Sequence, residues 1–261
     1  MSVVLEANNI SIMFGGLKAV SNFSIKLEAG ELVGLIGPNG AGKTTVFNML
    51  TGIYNPSCGK IFISSSNGGM IDITSYKPHK ITQSGIARTF QNIRLFKDLT
   101  VLDNVRIAFH SSVRYSAFDG IIRSSKYVEE EEKILVQSRN ILSIFNLSNK
   151  QNELAKNLPY GEQRKLEIVR ALATNPKLLL LDEPAAGMNP QETHELMNLI
   201  AYIRKEFNLT ILLIEHDMSL VMGICERIIV LDYGQIIAEG TPSQISSNPK
   251  VIKAYLGGGD E

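Results

Sequence analysis

A glycine-rich segment at residues 37–45 constrains this chain more strongly than any other part of its sequence. Gly37 and Gly42 enclose four residues, and Lys43 and Thr44 follow directly. The apolar run at 32–36 predicts a buried strand before the segment, and residues 45–50 predict the first turns of a helix after it. This spacing predicts a phosphate-binding loop. The loop residues are Gly37, Pro38, Asn39, Gly40, Ala41, Gly42, Lys43, Thr44 and Thr45.

The residue types of this loop suit the binding of a nucleotide. Glycines allow the backbone to curl so that successive N–H groups point at one anion, and the helix behind them adds the positive end of its dipole. Lys43 would place a mobile charge on the β and γ phosphates, and the Thr44 hydroxyl would ligate Mg²⁺. The alternative interpretation is a glycine-rich turn that contains a lysine by chance.

The composition narrows the classes of function. Lysine plus arginine and aspartate plus glutamate both number 26, so the formal net charge is zero. We expect no nucleic-acid partner, because such binding needs a positive field. Cys58 and Cys225 have neither metal nor disulfide spacing and indicate a reducing cytoplasmic compartment. Residues 1–6 lack a signal-peptide pattern, and the apolar runs are far shorter than the roughly 18 residues of a membrane span. We expect a soluble chain that can dock on a membrane partner.

The order of the sequence patterns predicts an α/β fold. Residues 3–35 are rich in strand patterns, beginning with separate strands at 3–5 and 10–14, and buried strands are predicted at 178–181, 210–214 and 228–231. Helical patterns alternate with these later strands, which is typical of a parallel sheet covered by helices. The segment from about 92 to 157 is helical throughout. There Thr100 is predicted to cap one helix, and the four glutamates at 129–132 to open another as a solvated first turn rather than a cation site.

Charged residues follow two of the predicted buried strands, where a parallel sheet binds its ligands. Asp182 and Glu183 come directly after the strand at 178–181, and His216 follows the strand at 210–214 by one residue. Asp182 would hold Mg²⁺ through water, opposite Thr44. Glu183 would deprotonate an attacking water, a role typically worth a factor of about 10²–10⁴ in rate. His216 would contact the γ-phosphate; the alternatives are a simple strand end and a structural histidine.

Five motifs stand in the order found in the ATPases of ABC transporters, and the chain resembles that family over nearly its whole length. They are residues 37–45, the Thr-Phe-Gln that ends at Gln91, and residues 158–163, 178–183 and 215–217. The resemblance implies a P-loop NTPase fold, with a RecA-like core, a β-rich N-terminal subdomain and an inserted α-helical subdomain. It implies one nucleotide-binding domain over 1–261, with its core at 1–91 and 166–261 and the helical subdomain at about 92–165.

The resemblance also implies roles for residues outside the loop. In the family, two such domains meet head to tail around two ATP molecules. Gln91 would serve both the catalytic site and the Mg²⁺ of one nucleotide and link it to the transmembrane subunit. Tyr160, Gly161 and Glu162, at the start of a helix, would complete the nucleotide site of the partner subunit. Phe14 would stack on adenine; the alternative is a core residue on an edge strand.

Partners and location follow from the same resemblance. We expect a second ABC ATPase subunit, identical or different, together with transmembrane permease subunits and, indirectly, a substrate-binding protein. The chain would be cytoplasmic and peripheral on the inner face of the cell membrane. Leu95 and Phe96 are candidates for the surface that meets the permease, or are core residues. A soluble ABC protein acting on DNA repair or ribosomes is the alternative, against which the short helical insert and the single cassette argue.

Departures from the family pattern point to a subgroup. The family's Leu-Ser-Gly-Gly-Gln is Leu-Pro-Tyr-Gly-Glu at 158–162, and Pro159 has neither the hydroxyl nor the N–H of serine. Proline is nevertheless compatible with the first turn of a helix. Asn189 stands where a carboxylate is usual. Residues 160–168, 184–190, 215–224 and 240–257 resemble the larger of the two ATPase types in bacterial uptake systems for branched-chain amino acids. Urea, amides and lipopolysaccharide are the alternative cargoes of close relatives.

Overall fold

The structure is a computed structural model, and it describes residues 2–65, 68–110, 113 and 115–256. In these residues the strands are β1 (Val3–Phe14), β2 (Leu17–Glu28), β3 (Leu32–Ile36), β4 (Cys58–Ser64), β5 (Met70–Asp72), β6 (Ile86–Arg88), β7 (Leu178–Asp182), β8 (Thr210–Ile214), β9 (Arg227–Asp232) and β10 (Gln235–Gly240). The α-helices are α1 (Lys43–Leu50), α2 (Pro78–Gln83), α3 (Val101–Phe109), α4 (Ala117–Ile122), α5 (Ser125–Ile144), α6 (Tyr160–Leu172), α7 (Pro190–Glu206), α8 (Met218–Ile224), α9 (Pro242–Ser246) and α10 (Pro249–Leu256).

The chain divides into two compact units. The core unit comprises Met1–Arg88 and Lys177–Glu261, and the insert unit comprises Thr89–Pro176. The bounds expected from the sequence, 1–91 with 166–261 for the core and about 92–165 for the insert, differ from this division. Helix α6 accounts for the later boundary, because it packs within the insert unit against α3 and α5. The bounds of the core and the helical subdomain that the sequence indicated remain a prediction about the organisation of the domain.

The core unit contains two sheets. One has the strand order β2-β1-β4-β5 with antiparallel pairs, and the other has the order β10-β9-β3-β8-β7-β6. In the second sheet all neighbouring strands are parallel except β10, which is antiparallel to β9. Strands β3, β7 and β8 are buried along their whole length. Continuous apolar runs are what strands covered on both faces require, so the predicted parallel sheet is confirmed.

The first strand differs from its prediction. The expected strands at 3–5 and 10–14 form one strand, β1, because the polar residues between them do not interrupt its pairing with β2. Asn9 lies in the left-handed region with φ of 50° at a shift in the register of that pair. Its N–H donates to the hydroxyl of Ser24 at 2.8 Å. A β-bulge of this kind absorbs the irregular residue without ending the strand.

The insert unit confirms one predicted helix start and corrects another. Thr100 caps α3 by accepting the Asp103 N–H at 3.0 Å. Helix α5 begins at Ser125 instead, because Ser124 supplies the cap, so the glutamates at 129–132 do not form its first turn. They are not uniformly solvated either, since Glu131 pairs with Arg106 of α3 at 2.7 Å. Short 3₁₀ helices at Ser148–Lys150 and Ala155–Asn157 complete the unit.

Among the described residues, no helix is both long enough and apolar enough to cross a membrane.

Candidate nucleotide site

The glycine-rich segment connects β3 to α1, and its backbone requires glycine at two positions. Gly37 has a φ of 151°, and a Cβ atom there would lie 2.0 Å from the carbonyl oxygen of Leu231. Gly42 has a φ of 101°, and its Cβ would lie 2.8 Å from the carbonyl oxygen of Ala19. No other residue fits these contacts without moving the backbone. Helix α1 then begins at Lys43, so its first N–H groups lack partners in the preceding turn and are available to an anion.

Lys43 is held over this loop. Its side chain is buried, and the ammonium Nζ donates to the carbonyl oxygens of Gly37 at 2.7 Å and Pro38 at 2.9 Å. Burial lowers the pKa of Lys43 from its ordinary value of 10.5, while the charges of Glu183 and Asp182 oppose that shift. The loop therefore fixes its cation beside two carboxylates before any ligand is considered.

A cleft of about 210 Å³ lies along the loop and reaches the ends of two parallel strands. Its lining comprises Asn39, Gly40, Gly42, Lys43, Thr44, Thr45, Glu183 and His216. The structure thus brings together the loop, the residue after β7 and the second residue after β8. This was the arrangement expected from the positions of these residues at strand ends.

Glu183 and His216 contact each other in this cleft. The distance between Glu183 Oε1 and His216 Nε2 is 2.5 Å. The Glu183 side chain is 13% exposed and that of His216 45% exposed, so the pair opens to solvent on the histidine side. Glu183 has a φ of 49°, and its N–H donates to the carbonyl oxygen of Ile214 at 2.9 Å. Left-handed backbone at a non-glycine residue is strained, and such strain clusters at functional sites.

Glu215 supports this pair and was not assigned a role from the sequence. It is 4% exposed, and its carboxylate accepts the N–H groups of Ala185 at 2.8 Å and His216 at 3.2 Å. Burial raises its pKa, the two N–H groups oppose this, and the charge of Glu183 adds to the rise. The Glu215 carboxylate therefore fastens the turn after β7 to the end of β8, where Glu183 and His216 lie.

Asp182 is engaged by an arginine that the sequence did not reveal. Arg88, at the end of β6, places its Nη2 atom 2.6 Å from Asp182 Oδ2, and the two side chains are 6% and 4% exposed. Arg88 also donates to Asn48 Oδ1 of α1 at 2.7 Å. This buried ion pair ties the end of β7 to β6 and to the helix behind the phosphate loop.

Phe14 lies on the surface and not in the core, which excludes the alternative given above. It is 42% exposed at the end of β1, and its ring centroid is 5.1 Å from that of Tyr54 in an edge-to-face arrangement. Tyr54 was not singled out from the sequence. An exposed aromatic face beside a second ring is suited to stacking on a planar ligand.

The remaining predicted residues lie in the insert unit. Tyr160, Gly161 and Glu162 form the first turn of α6, whose N-cap Pro159 makes no side-chain capping bond. Glu162 pairs with Lys150 at 2.6 Å. Gln91 is exposed, and its carbonyl oxygen accepts a hydrogen bond from Arg164.

Two buried charges of α6 hold the segment that contains Gln91. Arg164 is 2% exposed and donates to the carbonyl oxygen of Phe90 at 2.7 Å. Glu167, 5% exposed, accepts the N–H groups of Arg94 at 3.2 Å and Phe90 at 3.4 Å. Of the two candidates for a permease contact, Phe96 is 47% exposed, with Arg170 over its ring at 4.9 Å, and Leu95 is half-buried.

Comparison with known sequences places the chain among related proteins. A sequence model described as ABC transporter matches residues 20–186, and one described as branched-chain amino acid ATP-binding cassette transporter matches residues 235–261. The high-affinity branched-chain amino acid transport ATP-binding proteins BraF of Pseudomonas aeruginosa and LivG of Escherichia coli K12 are each 46% identical over 254 residues, which cover 97% of this chain and 98% of each relative. A probable LivG protein of Archaeoglobus fulgidus is 36% identical over 98% of this chain and 96% of its own length.

Comparison with solved structures also finds ATP-binding cassettes of ABC transporters. The ADP conformation of MJ1267, an ATP-binding cassette of an ABC transporter, matches with a TM-score of 0.84 and 32% identity, covering 98% of this chain and 100% of that one. A nucleotide-free ATP-binding cassette from an ABC transporter matches with a TM-score of 0.81 and 31% identity over the same shares.

The phosphate loop at the head of a parallel sheet places the protein in the class of P-loop NTPases, as the sequence predicted. Within that class the chain belongs to the ABC transporter family and is one of its ATPase cassettes.

Proposed function

We propose that the chain is the ATP-hydrolysing subunit of an importer for branched-chain amino acids, and that it works on the cytoplasmic face of a membrane. The proposal of cargo is supported by the names of relatives that match almost the whole chain and by the second sequence model at 235–261. The observation that carries the proposal of hydrolysis is the contact between Glu183 and His216 inside the cleft of the phosphate loop.

The loop would bind the phosphates of ATP. Backbone N–H groups at the start of α1 would face the phosphates, and the Lys43 ammonium, already placed over the loop, would reach the β and γ phosphates. The Thr44 hydroxyl and the Asp182 carboxylate offer the oxygen ligands that Mg²⁺ prefers, and they are the residues that would hold it. When bound, the ion would neutralise charge between the β and γ phosphates. Phe14 would stack on the adenine, next to Tyr54.

Glu183 would act as the general base. A water oxygen attacks the γ-phosphorus, the bond to the bridging oxygen of ADP breaks, and a proton of that water passes to the Glu183 carboxylate. A carboxylate has acceptor sites for more than one donor, so Glu183 can accept from water and from His216 Nε2 together. His216 would hold the base in position and contact the departing phosphate, while Glu215 holds the backbone of both.

The working unit would be a head-to-tail pair of ABC ATPase subunits. The first turn of α6, with Tyr160, Gly161 and Glu162, would close over the γ-phosphate bound by the partner subunit, because a helix N-terminus favours an anion. Gln91 would contact the nucleotide bound by its own chain and report its state to the permease. Closure on ATP and reopening after hydrolysis would drive the permease, which receives the amino acid from a substrate-binding protein.

The test combines uptake and hydrolysis. Cells that lack the native gene and other leucine carriers receive the wild type, Glu183→Gln, or the control Glu206→Gln at an exposed position near the end of α7. We expect wild type and Glu206→Gln to restore leucine uptake, and Glu183→Gln to fail with ATP hydrolysis reduced by a factor of about 10²–10⁴. Hydrolysis by Glu183→Gln at the wild-type rate would show that the base is misassigned. Active wild-type ATPase without leucine uptake would show that the cargo is misassigned.

A further inference from the structure

A second cavity, of about 630 Å³, lies beside the phosphate loop in the core unit. It shares only Asn39 and Gly40 with the cleft described above. Its other walls are the loop residues Pro38 and Ala41, the turn between β9 and β10, and helix α10. A volume of this size is typical of sites for small molecules. None of the roles proposed above for nucleotide binding or hydrolysis uses the wall formed by α10.

The cavity contains charged groups of both signs. Asp232 lies at the end of β9, and Lys250 and Lys253 lie on α10. None of these three side chains forms a hydrogen bond or ion pair with another of the residues that the structure describes. Ile237 and Ala254 supply apolar wall beside them, and Tyr233 is 87% exposed. A carboxylate could pair with the lysines and an ammonium with Asp232, while an aliphatic group lies on the apolar wall.

Both walls of the cavity contact the phosphate loop. Burial raises the pKa of Tyr255, on α10, and the backbone N–H of Gly37, which faces its hydroxyl, opposes that rise. From the opposite wall, the N–H of Gly234 donates to the carbonyl oxygen of Ala41 at 2.9 Å. Gly37 is also packed closely against the carbonyl of Leu231, at the end of β9. A ligand that moves α10 relative to the β9–β10 turn would therefore displace the loop that binds the phosphates.

We propose that this cavity binds a free α-amino acid with an apolar side chain, and that its occupancy is coupled to nucleotide affinity at the phosphate loop. The inference rests on the proposed function, because the imported amino acid is released on the side of the membrane where the chain works. The coupling acts in both directions, so the nucleotide changes the affinity for the amino acid by the same factor.

The binding step is tested by calorimetric titration of the purified full-length chain with leucine. Exposed charge pairs are worth up to about fivefold in affinity each. Asp232→Asn should therefore weaken leucine binding about fivefold, and Lys250→Gln combined with Lys253→Gln about twenty-fivefold. Lys205→Gln, at an exposed lysine of α7 outside the cavity, is the matched control and should bind leucine as the wild type does.

Two analogues separate amino-acid recognition from simpler chemistry. Isocaproate lacks the ammonium group of leucine, and isoamylamine lacks its carboxylate, so each should bind more weakly than leucine. Equal binding of isocaproate and leucine, unaffected by Asp232→Asn, would show an anion site and overturn the proposal. Leucine binding that none of the cavity variants changes would place the ligand elsewhere, and absence of leucine binding would also overturn it.

The coupling step is tested by measuring nucleotide affinity with and without saturating leucine. We expect a change of about fivefold or more in the wild type. Tyr255→Phe should retain leucine binding and reduce this change, since it removes the hydroxyl that meets Gly37. An unaltered effect in Tyr255→Phe would refute the route through α10. A chain that hydrolyses ATP and supports leucine transport normally, but does not itself bind leucine, would refute this inference. That result would leave the proposed function intact.

Discussion

The ion pair between Arg88 and Asp182 offers a quantitative test of how the core unit is held together. Their 2.6 Å contact is almost completely excluded from solvent, and Arg88 also donates to Asn48 and lies 5.4 Å from the ring centroid of Phe47. Arg88→Met keeps an unbranched apolar stem of similar reach but removes the guanidinium. The Asp182 carboxylate then stays buried without that cation, which is the costly way to break such a pair.

The expected loss is large. Breaking a buried pair from one side typically costs about 3–5 kcal/mol. For a domain of 150–250 residues this corresponds to a fall in melting temperature of roughly 6–20 °C. The chain contains no tryptophan, so unfolding in urea is best followed by far-ultraviolet circular dichroism. We expect a lower midpoint for Arg88→Met with an unchanged dependence on urea concentration.

A double-mutant cycle identifies the cause. Asp182→Asn in the Arg88→Met background removes the buried charge, so the double variant should be more stable than Arg88→Met alone, with a coupling energy of about 3 kcal/mol. The control is Lys60→Met, which breaks the exposed 3.1 Å pair with Asp72 and should change stability by less than about 1 kcal/mol. The reasoning would be refuted if Arg88→Met lost no more stability than this control. It would also be refuted if the double variant were less stable than Arg88→Met, because the buried charge would then not be the cause of the loss.

Two further predictions concern titrating groups. Burial raises the pKa of Glu215 above its ordinary value of 4.5, so the folded chain holds this proton more tightly than the unfolded chain does. The protonated Glu215 contributes its full stability below pH 4.5, and this contribution is lost as the pH rises through the raised pKa. The stability of Glu215→Gln relative to wild type, measured from urea midpoints, should therefore increase over this pH range. A difference that does not change with pH would contradict the assignment. Burial also raises the pKa of Cys225 to about 12 while Cys58 is exposed, so a thiol reagent should label one cysteine of the native chain, and Cys58→Ser should abolish the labelling. Labelling that persists in Cys58→Ser would show that the buried thiol is accessible.

Features set by local sequence could be predicted from it. The phosphate loop depends on backbone conformations that only glycine adopts easily, so its spacing is visible in the sequence. The same holds for helix caps: Thr100, which the sequence predicted as a cap, accepts the Asp103 N–H at 3.0 Å at the start of α3. The predicted start of α5 was wrong because a run of glutamates resembles a first helical turn. The true cap is the Ser124 hydroxyl, several residues earlier.

Contacts between distant residues could not be predicted in this way. Arg88 and Asp182 are separated by 94 positions, and nothing in the short strand β6 distinguishes Arg88 from a solvated arginine. Tyr54 likewise follows α1 in an ordinary turn, and only the folded chain brings it to Phe14 at the end of β1. Pairing across a sheet or between sheets depends on tertiary structure, which the local patterns of a single sequence do not reveal.

Two buried glutamates show why contacts between residues distant in the sequence matter for function. Glu215 accepts two backbone N–H groups around the turn that carries Glu183, and Glu167 accepts two around the segment that carries Gln91. Burial raises the pKa of both carboxyls, so each is retained at an energetic cost. Each acceptor is carried by a regular element, the end of β8 for Glu215 and α6 for Glu167, and fixes the backbone beside a residue for which we propose a role at the nucleotide.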